Sequence, residues 1–142
     1  MLERHSEHLP LGTDMMQCYD LACAAAEREA AIVYPAYHFG VNTETKHYPG
    51  GIVLKDSLLF ELLENVCEEI SRNGLKKIVL LSGHGGNRFF LPLFVQLALD
   101  KAKDYTPYYV TGYGADPEFF RSLMETELHG HACECETSVA LY

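Results

Sequence analysis

Lys76-Lys77-Ile78-Val79-Leu80-Leu81-Ser82-Gly83-His84-Gly85-Gly86-Asn87 decides the fold. Its first half, Lys76 to Leu81, is a β-rich apolar run with no polar alternation. That pattern predicts a strand buried on both faces, as in a parallel sheet. Its second half is a tight turn in which glycines flank a single histidine. Glycine opens backbone conformations closed to other residues and lets a ligand come close. In open α/β sheets, sites lie outside the carboxyl ends of the strands. His84 stands at such an end and is therefore a metal or acid/base candidate. A phosphate-cradling loop is the obvious competitor, but no Lys-Ser or Lys-Thr follows the glycines and the G-x-G-x-x-G pattern is absent.

Outward from this stretch, strands and helices alternate. Asp14 to Ala31 has Met15, Cys18, Leu21, Ala22 and Ala25 at helical spacing, with Thr13 or Asp14 as its cap. Ile32-Val33-Tyr34 predicts a short strand ended by Pro35, and Ala36 to Gly51 a long loop of the kind that tends to be functional. A helix beginning at Asp56 or Ser57 carries Leu58, Leu59, Leu62, Leu63, Val66 and Ile70 on one face and stops at Asn73-Gly74. Arg88 to Lys103 predicts the next helix, Tyr108 to Thr111 a strand, and Pro117 to Glu127 a helix with proline at its entry. Thr137-Ser138 reads as the start of another. The alternation predicts an α/β fold with a mostly parallel sheet and helices on both faces.

The 142 residues are one domain's worth of chain, enough to bury a core. A formal net charge of −9 argues against nucleic acid or an anionic membrane surface as partner, since both reward clustered cations. The five cysteines form no regular framework and read as reduced thiols in a cytoplasmic protein. No signal-peptide pattern is evident, and no apolar run is long enough to span a bilayer.

Besides the histidine turn, two clusters carry candidate chemistry. In an extended Glu3-Arg4-His5, Glu3 and His5 point to one side, because side chains alternate with period two. A carboxylate and an imidazole on one face are two ligands for a divalent metal. Asp14 follows a loop stiffened by Pro10 and can return to the same point. The same residues also read as a polar N-terminal arm with a helix cap at Asp14. The other cluster is His129-Gly130-His131-Ala132-Cys133-Glu134-Cys135-Glu136-Thr137-Ser138. Cys133 and Cys135 are too close for structural zinc and no second Cys pair completes a site. The carboxylates and imidazoles are the better ligands.

Three of these segments resemble the signature motifs of the creatininase family (creatinine amidohydrolase-like proteins), in matching order and approximate spacing. They are His8-Leu9-Pro10-Leu11-Gly12-Thr13-Asp14, Ser82-Gly83-His84-Gly85-Gly86-Asn87 and His131-Ala132-Cys133-Glu134-Cys135-Glu136-Thr137-Ser138. Pro49-Gly50-Gly51-Ile52 is similar to the family's Pro-Gly-Thr-Ile loop, with Gly51 in place of Thr.

The resemblance implies a three-layer α/β/α fold with a mostly parallel sheet, lacking the first strand and the C-terminal part. Residues 1–142 would form a single domain, incomplete at both ends. It also implies two divalent metal ions (Zn, Mn or Fe), with Glu3 and His84 on one, His5 on the other and Asp14 bridging both. Glu134 would supply the second metal's remaining carboxylate. His131 and Glu134 would serve catalysis, while Gly85, Gly86, Asn87 and His131 would contact substrate. His8 and Glu136 would support the site from behind. The implied activity is hydrolysis of a C–N amide bond in a small cyclic amide, formamide or peptide-like substrate by a metal-bridging hydroxide, in a cytoplasmic homo-oligomer. The alternative is a truncated, non-catalytic member acting as a structural or binding subunit. A nucleotide-binding domain is the weaker third reading, because the glycine turn lacks its phosphate partners.

Overall fold

In the computed structural model, which describes residues 1–112 and 117–142, the apolar run forms β1 (Lys77–Ser82). It pairs in parallel with β2 (Thr106–Thr111), with Ile78 opposite Pro107 and Ser82 opposite Thr111. Helix α2 (Asp56–Arg72) precedes β1, and α3 (Phe90–Asp100) joins β1 to β2. The chain therefore makes a β–α–β crossover, the connection that parallel strands require.

The apolar face of α2 meets that of α3 over one side of β1. Leu63 and Cys67 of α2, Ile78 of β1, Leu91 and Phe94 of α3, and Tyr105 form the buried core. Phe60 meets Phe94 edge-on at 5.2 Å between centroids. Residues alternate along the strand, so Ile78 is buried whereas Val79 is 61% exposed. Helix α1 (Thr13–Ala26) approaches the carboxyl end of β1, where the Cys18 thiol donates to the Leu81 carbonyl at 3.3 Å. A side chain at Gly83 would meet the Asp14 carbonyl at 2.7 Å, so glycine there permits the helix to close on the strand. Helices α4 (Pro117–Leu123) and α5 (Glu134–Leu141) complete the described chain.

Several expected elements differ. Ile32–Tyr34 forms no ladder, and among the described residues the sheet has two strands. A triplet of strand-favouring residues becomes a strand only where a partner edge accepts its hydrogen bonds. Helix α1 ends at Ala26 rather than Ala31, closed by turn bonds from Glu27 to Cys23 and from Glu29 to Ala25. The helix expected over Arg88–Lys103 divides into a 3-10 turn (Gly85–Arg88) and α3, with Pro92 in the first turn of α3. Helix α4 stops at Leu123 rather than Glu127, and α5 begins at Glu134, ahead of Thr137. The long loop holds one 3-10 turn, Thr43–Thr45. Among the described residues, no helix is long and apolar enough to cross a membrane.

Candidate metal centre

The carboxyl end of β1, the first turn of α1, the N-terminal arm and the start of α5 meet at Asp14. This aspartate is 2% exposed and lies in the first turn of α1, the end of a helix that favours negative charge. It does not cap the helix. Its two oxygens face two different imidazoles: Oδ1 lies 2.8 Å from His5 Nε2, and Oδ2 lies 2.6 Å from His84 Nδ1.

Each imidazole is fixed by its far nitrogen. His5 Nδ1 donates to the Glu3 carbonyl at 3.1 Å, and His84 Nε2 donates to the Val41 carbonyl at 2.7 Å. Those bonds leave the inward nitrogens, His5 Nε2 and His84 Nδ1, to present lone pairs to a cation, the arrangement typical of metal-ligating histidines. A second carboxylate stands beside each. Glu3 Oε2 lies 3.0 Å from His84 Nδ1, and Glu136 Oε2 lies 3.9 Å from His5 Nε2.

Donor atoms of Glu3, Asp14 and His84 converge within 4.8 Å of one another, as do those of His5, Asp14 and Glu136. The two groups share Asp14, one oxygen to each. Glu3 is fully buried; its Oε1 accepts from the Thr45 hydroxyl at 3.1 Å, and its Oε2 faces the His84 ring nitrogen that Asp14 already engages. A carboxylate at zero exposure is costly unless a cation meets it. Three buried carboxylates with two oriented imidazoles thus fit divalent cations, with mixed O/N ligation suited to zinc or manganese.

Glu134 stands outside both groups, which corrects its expected place as a ligand. Its carboxylate accepts from the backbone N–H groups of Glu125, at 2.9 Å, and Thr126, at 2.8 Å, and from the Thr126 hydroxyl at 2.7 Å. Glu136, expected only to support the site, faces His5 and Asp14 instead. Its Oε2 also accepts from the Ala132 N–H. Ala132 adopts φ 53°, a left-handed conformation rare outside glycine, and the turn it makes sets the phase at which α5 starts.

The His131 ring packs against His5 at 4.3 Å between centroids with a 45° tilt, its Nδ1 3.9 Å from Glu3 Oε1 and its Nε2 against the Arg4 carbonyl. It also forms a third close group with Glu3 and His5. His8 lies behind the site, bonded through Nε2 to the Thr137 hydroxyl at 3.0 Å. Gly85, Gly86 and His131 line a cavity of about 710 Å³ beside the two groups. A Gly86 side chain would strike the Val41 carbonyl at 2.2 Å and His84 Nε2 at 2.3 Å, so only glycine fits. Asn87 does not line this cavity. Its Oδ1 accepts from the Val41 N–H at 3.0 Å and its amide donates to Ser82 Oγ at 3.3 Å, bracing the loop that holds His84. The Val41 carbonyl and Thr45 carry no sequence signal as site residues, since a loop carbonyl has no side-chain signature.

Burial alone would lower the basicity of His84, but hydrogen bonds to Asp14 and Glu3 outweigh it and raise its pKa to about 10 in the metal-free protein. Burial likewise opposes ionisation of Asp14, and the bonds from His5 and His84 overcome it, holding the carboxyl well below its usual range. The stabilisation from His84 is therefore complete below about pH 6.5 and lost as pH rises toward 10, while that from Asp14 is complete above about pH 4 and lost on acidification. Chelated protein is expected to be most stable, so far as these groups decide, between about pH 4 and 6.5. Thermal unfolding across pH 4 to 10 measures this, and a maximum at pH 8 or above would contradict it.

Fold and site together define an α/β protein whose candidate metal-ligand groups sit at the carboxyl end of a parallel strand. The chain belongs to the creatininase (creatinine amidohydrolase) family, whose model matches residues 1–142. It is 29% identical over 103 residues to the creatinine amidohydrolase of Pseudomonas putida, covering 69% of this chain and 40% of that protein. It is 30% identical over 108 residues to a mycofactocin precursor peptide peptidase of Mycolicibacterium smegmatis, covering 72% and 43%. A creatininase structure described as the Mn form superposes with a TM-score of 0.84 at 25% identity, over 99% of this chain and 61% of its own. A creatininase variant of Zn–Zn type superposes at 0.83 and 25% identity, over 99% and 60%. The chain thus has an α/β creatininase-like fold and spans less than half the length of the curated relatives it matches.

Proposed function

We propose that this chain carries the catalytic centre of a metal-dependent hydrolase acting on the C–N amide bond of a small cyclic amide, formamide or peptide-like substrate. The observation that carries the reading is the division of Asp14 between two imidazoles, each beside a second buried carboxylate. Glu3 and His84 would hold one divalent ion, His5 and Glu136 the other, and Asp14 would bridge them. Zinc, manganese or iron suits such a ligand set. When bound, the two ions acidify a water and polarise the amide carbonyl. The chain's own residues supply orientation and protons. Val41 and the Glu3 carbonyl hold the imidazoles in the ligating tautomer. Gly85 and Gly86 let the substrate approach the strand end without side-chain obstruction. That His131 lines the cavity and packs against His5 supports it as the group that would hand a proton to the departing nitrogen. The catalytic role expected of Glu134 passes to Glu136. The five free thiols support a cytoplasmic setting, and exposed apolar residues such as Val79 and Tyr108 support a homo-oligomer.

The test is hydrolysis of creatinine, N-formyl amines and short peptides by protein supplied with Zn²⁺, Mn²⁺ or Fe²⁺ and again after chelation. Turnover of at least one class that chelation abolishes is the expected result. A second reading is a catalytically impaired or non-catalytic structural or binding subunit. It predicts no turnover of any class with any of the three metals.

A further inference from the structure

The cavity beside the two ligand groups carries two cations that the proposed reaction does not use. Arg88 ends the 3-10 turn that follows His84, and Arg121 lies on α4. Both line the cavity, together with Phe120 and Met124. The Arg88 guanidinium folds back over the glycine turn, with Nη1 3.5 Å from the Gly85 carbonyl and Cζ 4.9 Å from the Phe89 ring centroid. Among the described residues, neither guanidinium has a carboxylate partner. Arg4 and Arg72, by contrast, pair with Glu7 at 3.1 Å and Glu69 at 2.6 Å. The cavity's carboxylate outside the two ligand groups, Glu44, stands 3.8 Å from His84 Nε2.

We propose that this cavity selects amide substrates bearing an anionic group, carboxylate or phosphate, which Arg88 and Arg121 receive while the scissile bond lies at the metal groups. The inference rests on the amide-hydrolase reading of the same site. A guanidinium presents a planar fork of N–H donors that matches a carboxylate or phosphate. On a chain of net charge −9, most of the surface repels anions, so two unpaired arginines at one cavity create a local exception. Phe120 and Met124 give the cavity apolar wall for the uncharged part of such a molecule.

Calorimetric binding of three non-hydrolysable probes to zinc-supplied protein tests this: methanesulfonylglycine, its neutral glycinamide counterpart, and the corresponding aminomethylphosphonate. The arginines are exposed, so a preference of about tenfold for an anionic probe over the neutral one is expected. It should fall to within about twofold in Arg88→Met/Arg121→Met, checked for folding by circular dichroism. The stronger of the two anionic probes identifies the group. Equal binding of all three, binding of none, or a preference that persists in the double variant overturns the proposal, the last because the carboxylate would then be held by metal. Zinc content of the same samples reports separately on the metal centre. Lost metal with a kept preference would fail the hydrolase reading alone.

Discussion

Asp14→Asn is expected to weaken metal binding at both positions by at least about a hundredfold and hydrolysis by on the order of a thousandfold. Asparagine keeps the shape but can aim only one lone-pair oxygen, with a donor NH₂ where the other oxygen was. One imidazole would then face an N–H group, and the charge shared between the two ligand groups would be gone. No other ligand substitution touches both groups through both of its oxygens. In the metal-free protein the same change removes the buried carboxylate that both imidazoles bond, a loss of about 3 kcal/mol. Metal content, turnover and chemical unfolding of the variant measure the three effects. Retention of one tightly bound ion with near-normal turnover would show that Asp14 serves only one position.

The second large effect separates two carboxylates that lie two residues apart. Glu136→Gln is expected to release the ion held with His5 and to lower turnover by about a hundredfold or more. Glu134→Gln is expected to leave metal content unchanged and to loosen only the turn at Glu125 and Thr126, whose N–H groups its carboxylate accepts. Metal analysis of the two purified variants decides between them. Loss of metal in Glu134→Gln with retention in Glu136→Gln would reverse the assignment drawn from the structure.

That pair also shows where sequence reading stops. At the start of a helix, positions two apart point about 200° from one another, so only one of Glu134 and Glu136 can face the site. Which one does depends on the phase at which the helix begins. Here the left-handed turn at Ala132 sets that phase, and nothing in its residue type announces it. The β1 run and its histidine turn were legible because an apolar β-rich run and a glycine-flanked imidazole each leave a strong pattern, but the burial of β1 on both faces was not met, since Val79 is 61% exposed. Glu3, His5 and Asp14 were legible as candidates by residue type, but their convergence depends on the N-terminal arm. That arm is fixed by backbone bonds from Glu3 to Leu11 and from Ile52 to Leu2. Ile32–Tyr34 had strand composition without a strand partner, and composition does not encode a neighbouring edge. Asn87 had the polarity of a substrate contact, yet both ends of its amide are committed to Val41 and Ser82.

On the proposed arrangement, Asp14 divides two metal positions, one completed by Glu3 and His84 and the other by His5 and Glu136. Anomalous diffraction at the zinc edge, on crystals grown with zinc, tests it most directly. Two peaks flanking the Asp14 carboxylate are expected, one toward His84 Nδ1 and one toward His5 Nε2. A single peak, or density at Glu134 with none beside Glu136, would contradict it.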